Sequence, residues 1–138
     1  MTERIIGLGD FKKQLQSLSD AASGDALEAA STAGLLLIQN DAKQKAPVLT
    51  GTLRRSIHIE TLQKRRNFVE QAVGTDVVYA AIQEFGGVIQ HSNLWGQGIE
   101  ATITIPPHPY LRPAWDENID KALGVVGEAL ADVLKAAL

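Results

Sequence analysis

The sequence predicts an α+β fold: a mostly antiparallel sheet of about four strands, packed with a long helix in the N-terminal half and a long C-terminal helix. Three observations predict it. Small and apolar residues recur at helical spacing from about position 25 to a stop at Pro47. Positions 56–74 switch to an alternation of period two on either side of a charged tip. Helical spacing then returns, with Ile119, Leu123, Val126, Leu130, Val133 and Ala137 separated by four and three.

Taken in order, Leu8, Phe11, Leu15 and Leu18 place a short amphipathic helix over about 10–20, with Asp10 in its first turn. The small polar stretch 19–24 is a turn, after which Ser23 or Asp25 caps the second helix. Leu27, Ala30, Gly34, Leu37 and Ile38 form its apolar stripe. Ala26, Ala29, Ala33 and Gly34 leave so little bulk that another element can approach closely, which gives Gly34 a reason to sit where it costs about 1 kcal/mol relative to alanine. After Pro47, Thr50-Gly51 begins a turn or caps one helical turn, and Leu53 points inward. Ile57, Ile59 and Thr61 lie on one side of a strand. Lys64, Arg65, Arg66 and Asn67 form a hairpin tip, and 68–74 returns with Val69, Gln71 and Val73 on one face. Tyr79, Ile82 and Phe85 mark one or two helical turns ended by Gly86-Gly87. Residues 88–91 and 99–105 are the last strands, joined by a flexible loop at about 91–98 that holds Trp95.

The sheet then meets a proline corner. In the stretch 103–116, Pro106 and Pro107 offer no backbone donors and force the chain out of the sheet, and Pro109 and Pro113 lead it into the last helix near Pro113. Tyr110, Leu111 and Trp115 give this corner apolar surface to bury, locking sheet to helix.

At 138 residues, 45% hydrophobic and 21% charged, the chain fits a single domain over 1–138 that buries roughly two thirds of its unfolded surface. Without cysteine it has neither disulfides nor thiolate zinc sites. No basic start followed by an apolar block is present, and the longest apolar run, 33–38, is far below a membrane span. Cytoplasmic folding without export or membrane insertion is the simplest reading. The net charge of −3 argues against a generic nucleic-acid binder, yet the charge is uneven. Lys43, Lys45, Arg54, Arg55, Lys64, Arg65 and Arg66 face only Glu60 within 43–66. Asp116, Glu117, Asp120, Glu128 and Asp132 outweigh Lys121 and Lys135 beyond Pro113. The plain reading is two solvated faces.

Catalytic signatures are missing: there is no phosphate loop, nucleophile elbow, zinc helix or calcium loop. His58, His91 and His108, with Glu84 or Asp116, could meet only through folding to make a metal or acid-base site. Scattered histidines more often serve structure, and His108 between prolines suits a structural or interface role. Glu84 suits capping or pairing with an arginine better than a perturbed carboxylate. No catalytic residue, cofactor or metal is expected.

Three short motifs in order, Ala46-Pro47-x-x-Thr50-Gly51-x-Leu53-x-x-Ser56-Ile57, then Val73-Gly74-Thr75 with Tyr79-Ala80 and Glu84-Phe85-Gly86, then Pro106-Pro107-His108-Pro109-Tyr110-Leu111-Arg112-Pro113-Ala114, carry a resemblance. The chain resembles, over about residues 5–138, the small neck or tail-completion proteins of long-tailed bacteriophages and prophages. The resemblance implies a non-enzymatic virion component, assembled in the bacterial host cytoplasm as a homo-oligomeric ring at the head-to-tail junction. Its implied partners are copies of itself, head-closure or adaptor proteins, and tail terminator or tail-tube proteins. The 91–98 insert with Trp95 is individual to this chain.

A closed ring needs two complementary patches per subunit, and the basic 43–66 region with the acidic last helix offers such a pair. Arg54, Arg55, Lys64, Arg65, Arg66, Trp95, His108, Tyr110 and Arg112 are the interface candidates. Alternatively the Lys64 to Arg66 tip faces DNA passing through the channel. Trp95 either sits on an arm that orders on a neighbouring ring or folds back on its own core. Competing functions are a tail terminator and, from another class, a small metal-dependent hydrolase built on the histidines.

Overall fold

The computed structural model describes residues 7–48, 51–94, 96 and 98–137, with backbone only for 91–94 and 99. The elements run α1 (Leu8–Ala21), α2 (Gly24–Lys45), α3 (Thr52–Ser56), β1 (His58–Arg65), β2 (Phe68–Gly74), α4 (Ala80–Phe85), β3 (Gly87–Leu94), β4 (Ile99–Ile105) and α5 (Leu111–Ala136). The α+β class and both long helices are as expected. The four strands form two separate antiparallel ladders, β1 with β2 and β3 with β4.

The fold is centred on α2. Ser23 is its N-cap and accepts a bond from the Ala26 amide at 3.5 Å. Asp25 lies in the first turn, with Lys43 and Lys45 in the last, each sign opposing the helix dipole. The chain leaves through extended Ala46, as a residue before proline must. Its most extensive contact is with α5. Gly34 is the point of closest approach: a Cβ there would lie 2.7 Å from Val126 Cγ2 and 2.8 Å from the Ala122 carbonyl. The buried row is Ala30, Gly34, Ile38 and Ala42, a strict i, i+4 line; Leu27 and Leu37 are only partly covered. The facing row on α5 is likewise small, Ala114 and Ala122, and Leu123, expected in the seam, is exposed. Two helices in such close contact have room for alanine between them, and larger side chains are displaced to the flanks. Asn118 Nδ2 ties them further, bonding Asp41 and the Ala114 carbonyl at 2.8 Å each.

The β1–β2 ladder covers another side of α2 through a polar layer. Gln71 Nε2 donates to Thr32 (2.9 Å) and Thr61 (3.1 Å), and its carbonyl oxygen accepts from Ser31. Thr61 in turn donates to Glu28 at 3.1 Å. Gln71 therefore occupies an inward position between Val69 and Val73 because every polar atom there finds a partner. A register shift between Thr61 and Gln63 leaves Leu62 exposed.

Six of the ten fully buried hydrophobic residues among those described are alanines, and the largest side chains inside are Tyr110, Ile38 and Ile57. Leu53 is buried beside them, as its place after Gly51 predicted. Helix α1 has no buried residue, and Leu8, Phe11 and Leu15 are exposed, so its apolar face is largely uncovered within the chain.

Strand β3 continues to Leu94, which pairs with Ile99 across a register shift, so the backbone of 91–94, expected in a flexible loop, belongs to a strand. Trp95 and Thr50 lie outside the described residues.

Candidate functional site

The expected proline corner is where the chain's elements converge, and it is organised by Glu84. The buried carboxylate accepts three backbone bonds from the start of α5: Tyr110 N–H at 2.8 Å, Leu111 N–H at 3.0 Å and Arg112 N–H at 3.0 Å. The next residue, Pro113, has no N–H to satisfy. All four unpaired donor positions at this helix start are thus accounted for by one side chain from α4 and one proline. The acid also lies at the positive end of the helix dipole. Of the two readings the sequence favoured for Glu84, capping or pairing with an arginine, the structure contains capping, and the cap serves a helix start 26 residues away from it in sequence.

The corner is closed from the other side by backbone. His108 N–H donates to the Gln83 carbonyl at 2.7 Å while its ring stays exposed. Gly86, at φ 72°, lies so close to the β4 exit that a Cβ would be 2.8 Å from the Ile105 carbonyl and 2.9 Å from the Pro107 nitrogen. Positive φ and tight space both require glycine there.

Beside this corner runs an open groove of about 640 Å³, walled by Ala72, Val73 and Gly74 of β2, Ala81 and Phe85 of α4, and Tyr110, Arg112 and Trp115 from the α5 start. Its lining is mostly apolar. Phe85 is 78% exposed and Val78, just before α4, 95%. The expected spacing of Tyr79, Ile82 and Phe85 is present, but Tyr79 and Phe85 face outward and Ala80 and Glu84 face the core. Trp115, expected to be buried by the corner, is 47% exposed on the groove's rim. Tyr110 is fully buried, and its hydroxyl has no hydrogen-bond partner. Burial first, and then the Glu84 charge, push its pKa above the ordinary phenolic value.

The interface candidates divide. Tyr110 and Arg112 meet at the groove with Glu84 and Phe85. The hairpin tip lies elsewhere, and much of its charge is answered within the chain. Lys64 bridges Asp25 and Glu28 at 2.5 Å each, and Arg66 pairs with Asp20 at 2.9 Å. Hydrogen bonds that Lys64 donates to the two carboxylates push its pKa up to about 12, and the same bonds hold Asp25 and Glu28 below their ordinary values. Arg65 lies over the Phe68 ring, 5.7 Å from its centre. Lys45 bridges Asp41 and Glu117. Arg54 donates to the Lys43 carbonyl at 2.8 Å, and neither it nor Arg55 has a carboxylate partner among the described residues. The basic run is therefore not one continuous free patch. His58 Nδ1 lies 2.8 Å from the Ser56 carbonyl, and among the described residues no group of three acids or histidines is placed to hold a metal. Among the described residues no helix is long and apolar enough to cross a membrane.

A protein-family profile described as "Bacteriophage HK97-gp10, putative tail-component" matches residues 9–86, more than half of the chain. The chain belongs to this HK97-gp10-like family. Membership makes it a bacteriophage tail component, of a structural class that is generally non-enzymatic. The match runs from α1 through α4 and ends at Gly86, so it holds the first two sequence motifs, while the proline corner, the β3–β4 hairpin and α5 lie beyond it. No curated protein and no solved structure matches. The groove residues Ala72 and Ala81 carried no signal in the sequence, because nothing local distinguishes an alanine on a groove wall from one elsewhere on a strand or helix.

Proposed function

We propose that this tail component is a ring-forming protein of the phage neck, which joins or completes the tail at the head-to-tail junction. Its exposed surface carries the reading. The chain exposes 9887 Å², where a compact monomer of its mass exposes about 7,000 Å². The excess is of the order that obligate oligomers bury, roughly 2,000–5,000 Å². The uncovered surface is also apolar, including Phe11, Val78, Phe85, Val88, Ile103, Trp115 and Leu123. Such surface on a structural virion protein suits burial against neighbours. The partners are copies of itself, head-closure or adaptor proteins on one side, and terminator or tail-tube proteins on the other. Assembly takes place in the bacterial host cytoplasm. Arg54 and Arg55 are left to meet a neighbour's acidic α5 face, where Asp120, Glu128 and Asp132 have no ion pair among the described residues, or DNA in the channel.

Electron microscopy of a lysate from the parent phage with this reading frame deleted tests the proposal. DNA-filled heads beside finished, unattached tails are expected. Overlong or unfinished tails assign the chain to tail termination instead, and normal infectious particles overturn a structural role in the neck.

A further inference from the structure

Among the described residues, the β3–β4 hairpin is an arm without extensive support from its own chain: its strands pair with each other, and neither packs extensively on any other element. An isolated two-stranded hairpin is marginal in water and needs a further strand or an apolar surface. Val88 is 60% exposed and Ile103 46%. From 87 to 105 the arm has no lysine or arginine, and Glu100 is its one acid.

The groove lacks what the arm offers. Among the described residues, β2 pairs only with β1, so its other edge has unpaired amides and carbonyls. Three consecutive residues, Ala72, Val73 and Gly74, line the groove. Successive strand residues face opposite ways, so three in a row reach one groove only if the strand's edge faces it. Arg112, which lines the groove, has an 84% exposed side chain and only a 3.7 Å pairing with Asp116.

We infer that the arm of one subunit docks in the groove of a neighbouring copy, adding a strand to the open edge of β2 so that two short ladders become one four-stranded sheet across the subunit boundary. The inference rests on self-assembly, which the proposed ring requires, and specifies how it occurs. The arm cannot fill its own groove. It is rooted at the end of that groove, where β3 follows Phe85 directly, and the Gly86 junction and the His108 to Gln83 bond fix its angle. One arm and one groove per chain are different surfaces, so the contact is head-to-tail, the type that closes into a ring. Charge agrees: the apolar groove receives a nearly uncharged arm, and Glu100 is available to Arg112.

The chain has no cysteine, which makes reporter thiols unambiguous. Full-length Thr102→Cys (arm) and Ala81→Cys (groove wall, exposed) are mixed and treated with a short bismaleimide. A cross-linked dimer joining peptides with positions 81 and 102 is expected from the mixture and from neither variant alone. Its absence overturns the docking. In particles made by complementing the deletion with the double variant, a link from position 102 to a different virion protein overturns the second copy as occupant. An 81–102 link in purified protein, together with a deletion that leaves particles normal, refutes the neck reading and leaves the docking intact. Ile103→Lys is a second test, with its folding checked separately. It is expected to raise the concentration for half-assembly by roughly tenfold or more while the helical circular dichroism signal is retained. Unchanged assembly overturns the inference.

Discussion

Removing the Glu84 carboxylate should be among the most damaging single changes available outside the helix-helix contact. In Glu84→Ala, the Tyr110 amide loses its partner in a buried setting, and the Leu111 and Arg112 amides lose theirs where water has partial access. A buried donor left unsatisfied costs about 1–3 kcal/mol, and the favourable charge at a helix start adds about 0.3–1 kcal/mol. Weighting the two part-buried donors at the low end gives about 3–5 kcal/mol, above the ~0.5–2 kcal/mol of an exposed N-cap. Glu84→Gln keeps one acceptor oxygen and loses the charge, so its loss should be intermediate, about 1–2 kcal/mol. The assay is thermal and urea unfolding of the full chain followed by circular dichroism. It is run at one fixed protein concentration, because assembly itself shifts apparent stability. For a domain of this size, Tm should fall by roughly 10–20 °C for alanine, at about 3–5 °C per kcal/mol. A loss below about 1 kcal/mol for alanine, or a larger loss for glutamine than for alanine, refutes the claim that this carboxylate holds the α5 start.

Gly34→Ala tests the close α2–α5 approach. Alanine gains about 1 kcal/mol of helix propensity, but its Cβ meets the Ala122 carbonyl, so a net loss of about 1–3 kcal/mol is expected and a raised Tm refutes the packing account. Adding Val126→Ala should rescue only part of it, since the backbone contact remains. Tyr110→Phe removes a buried hydroxyl without a partner, so the unassembled chain should keep or gain up to about 1 kcal/mol; a clear loss means that the hydroxyl is satisfied. The Lys64 cluster fixes a pH dependence. The folded pKa values of Asp25 and Glu28 lie below the ordinary 3.8 and 4.5, so their contribution is complete above those values and is lost as pH falls through the folded ones. Lys64, raised from 10.5 to about 12, contributes fully below 10.5 and loses that contribution as pH rises through about 12. The stability difference between the parent and Lys64→Met should therefore be small and flat at neutral pH, because Lys64 and Asp25 are exposed and Glu28 is only half-buried, and should vanish in acid; a difference that grows on acidification refutes the pairing.

Much of the fold was legible because its signals are local. Ser23 and Pro47 bound α2, Gly51 and Leu53 set the short α3, and the alternation around Lys64 to Asn67 gives the first hairpin, all within a few residues of the structure they produce. The small residues around Gly34 announced a close neighbour, but which helix supplied it was a matter of tertiary packing. Side-chain facing was decided there too. Leu123 and Trp115 have the spacing and character of buried residues, yet the short distance between α2 and α5 favours Ala114 and Ala122 inside and leaves the larger side chains at the surface. The charge on the first hairpin was plain in the sequence, whereas its neutralisation by Asp20 of α1 and by Asp25 and Glu28 of α2 depends on where the first two helices meet the hairpin tip.

The sequence by itself determined the α+β class, the bounds of the main elements, and the motifs through which the family is recognised, since each depends on spacing and backbone chemistry along the chain. Only the tertiary structure decided what those motifs do together. Glu84 and Pro113 become one helix cap only when α4 meets the start of α5. The same meeting leaves a groove lined by Ala72, Val73 and Gly74 of β2, while β3 and β4 pair with each other. Capping and edge exposure are relations between backbone groups distant in sequence, and no local pattern of residues encodes which distant groups will come within hydrogen-bonding distance.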